Sequence, residues 1–561
     1  MLHFILVLGR LVKQIDSSRS CGWLAVALLA VGLMGQFAHA ETYSWNLIAG
    51  NWNTDKWLPS GVPNGQGAGV ALLADSGAIT TTLDINATVG TIQSLSLGDS
   101  QTIASSGSNY LTLDNTGGSP NSFKNQTAAI QQQYQGSLNI YPDIHIKKDL
   151  IISIDPDSDG SLKIYGNIIN DGSSTGILYL KNPGLGGRIN IAGNIGVLAG
   201  SSSQTITISS DLGSSGNPVN LSGILGSYVG GINISSNTVT LSGSSANTNT
   251  GLTTVSGGEL DLGKSVSVNA IGGNLQINGG AVKLLARDQI GNTATVMIAS
   301  GGTFNLNGFN ETVDTFSITG GTLTGTGSTL TASTYALNGG VVSANLGTGS
   351  LTANSGVTLL SGTCGVTTFR VVGGTLQLGN NRALGTGSVA ADAGTIDLAG
   401  YSPTVMTLSG SAGAITNSGS AESILTVHQS ATTTFGGSLT DGVKKVALSL
   451  TGPGTLILSG TNSYTGGTIV NAGTLLITRS SALPDGMSLT VGAGGVLIFD
   501  PSRFSASPMV LSAASPTTLQ INSVPEPSTL ALSFAGLVVG LSRWRKAKAF
   551  QRWFAHSCAK S

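Results

Sequence analysis

The chain has 561 residues and is poor in charge, since only 9% of its residues are charged, against roughly 25% in an ordinary soluble domain. Residues 41–522 carry 16 basic and 24 acidic side chains, a net charge of −8. That balance argues against a nucleic-acid partner bound through phosphate neutralisation. Cys364 is the one cysteine in this body, so neither a disulfide nor a cysteine metal site is expected there.

The first 40 residues have the pattern of a secretory signal. Basic residues precede an apolar run, Leu24 to Met34, and Ala38-His39-Ala40 supplies the small residues of a cleavage site. We therefore predict a signal helix at residues 1–40, removed by signal peptidase between Ala40 and Glu41. An extra apolar patch, Leu2 to Leu8, leaves two alternatives open: a later start codon, or retention of the segment as an anchor.

Tryptophans cluster at the start of the mature chain, at Trp45, Trp52 and Trp57. Aromatic faces could stack on sugars, but the end of a repetitive β-structure also needs a cover over its apolar core and unpaired strand edge. We favour the second interpretation and assign residues 41–115 to an N-terminal cap and the first β-coils.

Residues 116–256 repeat less regularly, and they form either β-solenoid or a sandwich-like section. Asp155-Pro156-Asp157-Ser158-Asp159-Gly160 begins like a calcium loop, yet Gly166 stands where a bidentate Glu is needed. We predict a solvated turn and no metal site, with a weak calcium site as the alternative.

The densest charged patch, Asp143 to Asp149, is predicted to be one face of a polar strand or a loop. Gly172-Ser173-Ser174-Thr175-Gly176 matches a nucleophile pattern, a match expected by chance in a chain so rich in Gly and Ser.

Residues 257–522 contain an internal repeat of about 20 residues: two small residues, one variable residue and one apolar residue. Strand-like alternation follows each pair, as in Thr303-Phe304-Asn305-Leu306. The clearest copies are Gly257-Gly258-Glu259-Leu260, Gly279-Gly280-Ala281-Val282, Gly301-Gly302-Thr303-Phe304, Gly320-Gly321-Thr322-Leu323, Gly339-Gly340-Val341-Val342 and Gly373-Gly374-Thr375-Leu376.

A strand-turn unit of this length cannot bury its apolar face alone, whereas stacked coils bury one continuous core. The pattern therefore predicts an all-β fold, a parallel β-helix or β-solenoid, with Gly at tight corners that need positive φ. Disorder is disfavoured because 40% of the residues are hydrophobic. We expect few helices between the two termini.

The stretch from Thr451 to Thr468, running on to Ala472-Gly473-Thr474-Leu475, resembles the autotransporter-associated β-strand repeat near residues 451–478. Asp288-Gln289-Ile290, followed by Gly301 to Gly308, resembles the same family more loosely. This resemblance implies a right-handed parallel β-helix exposed at the cell surface.

The C-terminal segment, residues 523–548, combines three features in order: Pro525-Glu526-Pro527, an apolar run from Leu530 to Leu541, and a basic stop. The stop comprises Arg543, Arg545, Lys546 and Lys548. Together they resemble the PEP-CTERM sorting signal of Gram-negative bacteria, which implies processing by an exosortase, a membrane cysteine transpeptidase.

A helix over Ser528 to Ser542 would be only about 22 Å long, shorter than the ~30 Å hydrocarbon core. Because basic residues follow this helix, we predict that its C-terminal end faces the cytoplasm. The body of the protein would then lie on the other side of the inner membrane. A basic tail, 549–561, continues beyond the stop, and a plain tail anchor that is never cleaved is the alternative.

Taken together, the sequence predicts a non-catalytic exported protein, held transiently in the inner membrane and then found at the cell surface or outside the cell. Its expected partners are exosortase, signal peptidase and an exopolysaccharide or matrix, with no cofactor. The alternative is a β-helix polysaccharide lyase or hydrolase. Such an enzyme would need charged side chains clustered on adjacent coils, for example Arg287 and Asp288 beside Asp314.

Overall fold

The computed structural model describes part of the chain, and all structural statements below concern that part. It comprises residues 42–45, 50–52, 57–58, 69–72, 79–94, 99–114, 128–171, 176–182, 186–196, 206–209, 217–500, 509–512, 517–521 and 532–533. Within these residues, no helix is long and apolar enough to cross a membrane. The predicted signal helix and C-terminal hydrophobic helix lie outside the described residues.

The described residues form short β-strands and a single 3-10 helix, Ser480–Ala482. The strands of the first part are β1 (Thr42–Trp45), β2 (Gly50–Asn51), β3 (Trp57–Leu58), β4 (Gly69–Leu72), β5 (Ile79–Leu83), β6 (Ala87–Val89), β7 (Thr91–Ser94), β8 (Ser100–Ser105), β9 (Leu111–Leu113), β10 (Ala128–Gln132), β11 (Ser137–Ile140), β12 (Ile144–Ile146), β13 (Leu150–Ile154), β14 (Ser161–Ile164), β15 (Ile168–Asn170), β16 (Gly176–Lys181), β17 (Arg188–Ile191), β18 (Ile206–Ser209), β19 (Pro218–Leu221), β20 (Val229–Ile234), β21 (Thr238–Gly243), β22 (Leu252–Val255), β23 (Glu259–Lys264), β24 (Leu275–Ile277), β25 (Ala281–Leu284), β26 (Thr295–Ile298) and β27 (Thr303–Asn305).

The remaining strands follow in chain order. They are β28 (Glu311–Ile318), β29 (Thr322–Thr324), β30 (Thr329–Leu337), β31 (Gly340–Val342), β32 (Asn345–Leu346), β33 (Ser350–Ala353), β34 (Val357–Leu360), β35 (Thr368–Val371), β36 (Thr375–Leu378), β37 (Ser388–Ala391), β38 (Thr395–Asp397), β39 (Thr404–Val405), β40 (Thr407–Ser409), β41 (Ala414–Thr416), β42 (Ser423–His428), β43 (Thr432–Phe435), β44 (Ser438–Leu439), β45 (Val446–Thr451), β46 (Thr455–Leu458), β47 (Thr468–Ile477), β48 (Ser488–Phe499), β49 (Met509–Ser512), β50 (Thr517–Ile521) and β51 (Leu532–Ser533).

The chain divides into two compact units. Unit 1 is Met1–Val296 with Gly302–Asn305, and unit 2 is Met297–Gly301 with Leu306–Ser561. In both units the strands pair in parallel with strands of the preceding and following turns, and together the described turns number about 18. The prediction of an all-β parallel β-solenoid with almost no helix is confirmed for the described residues.

In unit 1 the parallel strands stack in three columns. The first column runs from β4 through β7, β10, β13, β16, β18, β20 and β22 to β24. The second runs from β5 through β8, β11, β14, β17, β19, β21, β23 and β25 to β27. The third contains β6, β9, β12 and β15. Parallel register keeps the apolar residues of each turn directly over those of the next.

The core of unit 1 consists of these in-register apolar side chains. Leu260 pairs with Val282, which pairs with Phe304, and all three are fully buried. Each such side chain contributes about 1.5–3 kcal/mol by leaving water. Residues between them point outward, because successive side chains of a strand alternate between its faces.

Unit 2 repeats this design. One column joins β28, β30, β33, β35, β37 and β40, and another joins β29, β31, β34, β36, β38, β41 and β44. A third contains β39, β42, β45, β47 and β48. Buried Leu351, Phe369, Val389 and Leu408 lie over one another in successive turns.

Antiparallel pairs occur at the first and last described strands. Strand β1 is antiparallel to β3 and parallel to β4, and Trp52 beside them is fully buried, its N–H donating to Thr82 O at 2.6 Å. In unit 2, β49 and β50 pair antiparallel with β48, and β51 with β50.

Candidate functional site

Several predicted sites fall outside the described residues. These are the signal-cleavage residues Ala38, Ala40 and Glu41, the sorting motif Pro525-Glu526-Pro527, and the basic stop Arg543, Arg545, Lys546 and Lys548. Residues 172–175 of the Gly-Ser pattern lie outside as well. Gly176 is described and begins β16, where an added Cβ would stand 2.1 Å from Lys148 O. That close packing of backbones accounts for glycine at this position.

The aspartate-rich loop from Asp155 to Gly160 forms a hydrogen-bonded turn. The Asp157 N–H donates to Asp155 Oδ1 at 3.1 Å, and the Ser158 N–H donates to Asp155 O at 2.9 Å. Buried Ser158 donates to Tyr134 O, and the Gly160 N–H donates to Ser158 Oγ. In the part of the chain that the structure describes, no group of three or more His, Cys, Asp or Glu side chains is arranged to hold a metal.

Asx side chains at one corner of unit 1 link each turn to the next. The N–H of Asn167 donates to Asp143 Oδ1 at 2.8 Å, that of Asn194 to Asn167 Oδ1 at 3.0 Å, and that of Ile224 to Asn194 Oδ1 at 2.8 Å. Since each oxygen accepts a backbone donor that the strands leave unpaired, this Asx ladder has a structural role. Asp143, counted in sequence as part of a charged patch, belongs to it.

The rest of that charged patch is arranged around Asp171. Its Oδ2 lies 2.8 Å from His145 Nδ1 and 3.5 Å from Lys147 Nζ, and the His145 ring stacks on Tyr110 with centroids 4.0 Å apart. Asp149 Oδ1 accepts the Ile177 N–H at 2.9 Å. The patch therefore joins neighbouring turns through a histidine–aspartate hydrogen bond, a lysine–aspartate ion pair, a ring stack and a backbone cap.

Two tyrosines next to this corner also stack. Tyr141 and Tyr165 follow Ile140 and Ile164, which pair in register, and their rings are 4.5 Å apart and 9° from parallel. They are 51% and 43% exposed. Aromatic rings that stack in the open are unusual among the outward Ser, Thr and Asn residues of this chain.

The charged residues suggested for an enzyme are divided between the two units. Arg287 Nε lies 3.9 Å from Asp288 Oδ2, which accepts the Ser267 hydroxyl at 2.9 Å. These residues belong to unit 1, whereas Asp314 belongs to unit 2, where Thr315 Oγ1 lies 3.5 Å from its carboxylate.

Lys264 is a buried lysine in unit 1, with 2% of its surface exposed. Its Nζ donates to Ser242 O at 2.9 Å and to Gly223 O at 3.2 Å, both carbonyls of earlier turns. Burial lowers its pKa from 10.5 to about 8, because an ammonium group is costly to desolvate. Pairing with carbonyls alone marks it as a structural cation.

Cys364 and Asp397 are two further buried titratable groups, both in unit 2. Burial raises the pKa of the Cys364 thiol to about 12, so this thiol stays protonated and unreactive. Burial alone would raise the pKa of Asp397, but donors outweigh it and lower that pKa. These donors are the Ser418 hydroxyl and N–H, the Gln377 amide and the Ala399 N–H.

A corner near the end of unit 2 bonds several side chains to the backbone of neighbouring turns. Buried Asn462 accepts the Leu439 N–H at 2.8 Å from the preceding turn and donates to Ala482 O at 2.6 Å in the following turn. Fully buried Tyr464 bonds Thr468 through the two hydroxyls at 2.6 Å. Asp441 accepts the Thr465 hydroxyl and N–H at 2.6 and 3.1 Å. Three successive turns are thereby tied together.

Asn247 in unit 1 makes the same connection. It is buried, accepts the Leu225 N–H at 2.9 Å and donates to Ala270 O at 2.7 Å. The two asparagines also share a local sequence, since Thr250-Gly251 and Thr465-Gly466 each follow three residues later. A Cβ added to Gly251 would lie 2.2 Å from Gly230 O, and a Cβ added to Gly466 would lie 2.4 Å from Val446 O. We call Asn247 and Asn462 the bridging asparagines.

The two segments that contain the bridging asparagines match a known family. Residues 234–262 and 448–477 match the passenger-associated transport repeat. This repeat is an autotransporter-associated repeat, so the resemblance predicted near 451–478 is confirmed. It suggests an exported surface or extracellular protein. No curated protein and no solved structure matches the chain.

Sequence reasoning missed the first of these matches. It noted Gly257-Gly258-Glu259-Leu260 only as one repeat among several. The signal that could have found it is the Asn-x-x-Thr-Gly run at Asn247, present again at Asn462. The Asx ladder and buried Lys264 were also missed, because single Asn and Lys residues carry no periodic signal.

Proposed function

We propose that this chain is a non-catalytic exported protein, displayed at the cell surface or in an extracellular matrix. The observation that carries the proposal is the pair of passenger-associated transport repeats, each built into a parallel β-solenoid. In both, the distinctive residues bond to the backbone of neighbouring turns. Their chemistry thus serves to hold turns in register, as a display scaffold requires.

Display would work through repetition. Successive turns present similar outward rows of Thr, Ser and Asn, so a polymer or a neighbouring cell could make many equivalent weak contacts. Several weak contacts on one scaffold give an avidity well above that of each contact. An exopolysaccharide or matrix polymer is the partner that we propose for these rows.

Sorting is the second part of the proposal. A signal peptidase would cleave after Ala40, the run Leu530 to Leu541 would hold the chain in the inner membrane, and an exosortase would process the chain at Pro525-Glu526-Pro527. Support comes from the order of motif, apolar run and basic stop in the sequence. The short apolar run favours a transient anchor over a permanent one.

The test is to express the full chain in a host that has an exosortase and to weigh the extracellular and membrane-bound forms by intact mass spectrometry. We expect a released form that begins at Glu41 and ends near Pro525 to Pro527. The triple variant Pro525→Ala/Glu526→Ala/Pro527→Ala should accumulate in the membrane with Ser561 retained. Pro516→Ala, a proline outside the motif, is the control and should be released like the wild type.

Two results would contradict parts of the proposal. If wild-type chain were found only in the membrane with Ser561 retained, exosortase processing would be wrong while surface display would stand. If the chain stayed inside the cell, with residues 1–40 uncleaved, surface display itself would be wrong.

A further inference from the structure

One outward surface of unit 1 differs chemically from the others. On β11, β14 and β17 of the second column, the outward positions carry Asn139, Lys163, Arg188 and Asn190, and Tyr141 and Tyr165 follow β11 and β14. We call these six residues the tyrosine–amide face. The inward residues between them, such as Leu138, Leu162 and Ile189, are fully buried, so the strands beneath this face are anchored in the core.

The tyrosine pair leaves ring surface open along the direction of stacking. Ala104 and Ala192 follow Ile103 and Ile191, which are in register with Ile140 and Ile164. In the turns on either side of the pair, the position equivalent to the tyrosines is therefore occupied by an alanine methyl group. Each tyrosine thus has one face against its partner and one face above an alanine, a space about one strand spacing (~4.8 Å) deep.

A pyranose ring fits such a space by size and by chemistry. One side of the sugar ring presents C–H groups, whose positive edge is attracted to the negative face of an aromatic ring. A tyrosine stacked on its neighbour is already ordered, so less side-chain entropy is lost on binding than for a free aromatic side chain.

Amides and cations lie beside the rings. Asn139 and Asn190 flank Lys163 in register, and an amide can both donate to and accept from sugar hydroxyls. Arg188 lies in register with Ser161, two residues before the Lys163 row. Among the outward positions of β8, β11, β14 and β17 there is no acidic side chain.

Two acidic residues border this face but do not belong to it. Asp143 is bonded to Asn167, and exposed Asp159 precedes β14. The charged members of the face itself, Lys163 and Arg188, are both cations, and they favour a ligand that carries carboxylates along its length.

We propose that the tyrosine–amide face binds an acidic polysaccharide of pyranose sugars. Sugar rings stack on the open faces of Tyr141 and Tyr165, Asn139 and Asn190 hydrogen-bond to hydroxyls, and Lys163 and Arg188 pair with carboxylates. This rests on the proposed extracellular location, because only there would the face meet such a polymer.

The experiment is affinity electrophoresis of the purified exported chain in gels that contain alginate, xanthan or dextran. Alginate and xanthan carry carboxylates and dextran is neutral. We expect strong retardation by at least one acidic polymer and weaker retardation by dextran. Tyr141→Ala/Tyr165→Ala should weaken binding at least about tenfold, the factor for 1.4 kcal/mol. Lys163→Gln/Arg188→Gln should remove the preference for the acidic polymer and its salt dependence.

Matched controls separate binding from folding. Tyr134→Ala replaces a tyrosine exposed to 43%, the same extent as Tyr165, and Lys283→Gln/Arg382→Gln removes two cations elsewhere. Both controls should bind like the wild type, and thermal unfolding should show that every variant is folded.

Three results would overturn the inference. These are no retardation by either acidic polymer, equal retardation of wild type and the folded tyrosine variant, or equal binding of dextran and the acidic polymers. If only stability fell in the tyrosine variant, the ring pair would be structural. Shortening of the polymer during the assay would contradict a non-catalytic protein. Failure of binding leaves the export experiment unaffected, and failure of export leaves this assay unaffected.

Discussion

Lys264 shows how a single buried side chain couples this fold to pH. Its ammonium group lies against the carbonyls of Gly223 and Ser242 and has a pKa of about 8, compared with 10.5 in an unfolded chain. Between these two values the unfolded chain binds more protons than the folded chain. Folding is therefore opposed by this group below pH 8, and the opposition is relieved as the pH rises towards 10.5.

We predict that unit 1 gains stability from pH 8 to pH 10.5 in the wild type, relative to Lys264→Met, by about 3 kcal/mol at 1.36 kcal/mol per pKa unit. Methionine keeps the length of the side chain but does not titrate. Urea unfolding at several pH values, followed by hydrogen exchange in unit 1, measures the difference. Lys283→Met, a lysine on an outward position of β25, should behave like the wild type. Equal pH slopes for the wild type and Lys264→Met would contradict the prediction.

A side chain at a corner glycine can destabilise the fold in two ways, through the backbone conformation and through overlap with neighbouring atoms. The sequence alone does not distinguish them. Gly280 has φ +67° and an added Cβ would lie 2.6 Å from Gly258 O, whereas Gly107 has φ +79° and nothing within 4 Å. Both positions disfavour a side chain through their backbone conformation, which costs about 1–2 kcal/mol. Only Gly280 has backbone in the way.

We predict that Gly280→Ala destabilises unit 1 clearly more than Gly107→Ala, which should cost about 1–2 kcal/mol. The reason is that the Cβ at 280 must displace the backbone of the preceding turn, and that displacement would disturb the in-register strands β23 and β25. Thermal unfolding midpoints of the two variants give the comparison. Equal midpoints would mean that the turn relaxes freely.

Residue-scale features were only partly predictable from sequence. Paired glycines such as Gly257-Gly258 indicate a corner because few other residues adopt positive φ. Which glycine of the pair takes that conformation differs, since it is the second at Gly258 but the first at Gly301. Lys264 gives no signal, because its burial depends on carbonyls contributed by two earlier turns.

Two-sided contacts with adjacent turns make the bridging asparagines direct links between elements. Asn462 bonds the backbone N–H of one turn and the backbone C=O of another, so its loss leaves a buried donor and a buried acceptor without partners. Each such group costs about 1–3 kcal/mol. Asn247 has the same role in unit 1.

We predict that Asn462→Ala destabilises unit 2 by about 2–4 kcal/mol, from the loss of two buried hydrogen bonds. Exposed Ser463 next to it provides the control, since Ser463→Ala should change stability by less than about 0.5 kcal/mol. Hydrogen exchange of the amides of Leu439 and its neighbours should accelerate in the Asn462 variant. Unchanged protection there would show that another group replaces the asparagine.

Elements were predicted well where alternation is long, and poorly where strands are short. The alternating run after Gly374 predicts a strand that the structure contains as β36. Strands of two or three residues, such as β12 and β39, have too few alternating positions to be recognised. Their pairing comes from the turns on either side and from side-chain caps such as the Asx ladder.

At the scale of the whole molecule, stability rests on apolar stacking and hydrogen bonds with little help from charge. Ion pairs such as Arg370–Asp392 and Lys445–Glu422 each have at least one exposed partner, and pairs near the surface contribute about 0–1 kcal/mol each. Only 9% of all residues are charged. The architecture was predictable because the repeat imposes one pattern many times, whereas the tyrosine–amide face occurs once and had no repeat to reveal it.

We predict that the unfolding temperature changes little, by less than roughly 3 °C, between low and moderate sodium chloride, because screening acts on exposed charges that contribute little. Calorimetry of the exported chain measures this. A steep fall with salt would show that charge, rather than stacked apolar side chains, holds the turns together.

The antiparallel strands described at the two extremes of the chain bear on how the protein avoids self-assembly. A stack of parallel β-solenoid coils ends in a row of unpaired backbone donors and acceptors. A second molecule could add another coil there and so extend a fibre. Strand β3 reverses direction against β1, and β49 and β50 reverse against β48. An incoming parallel turn would meet a strand of reversed direction at these edges, which opposes the growth of a fibre from one molecule to the next.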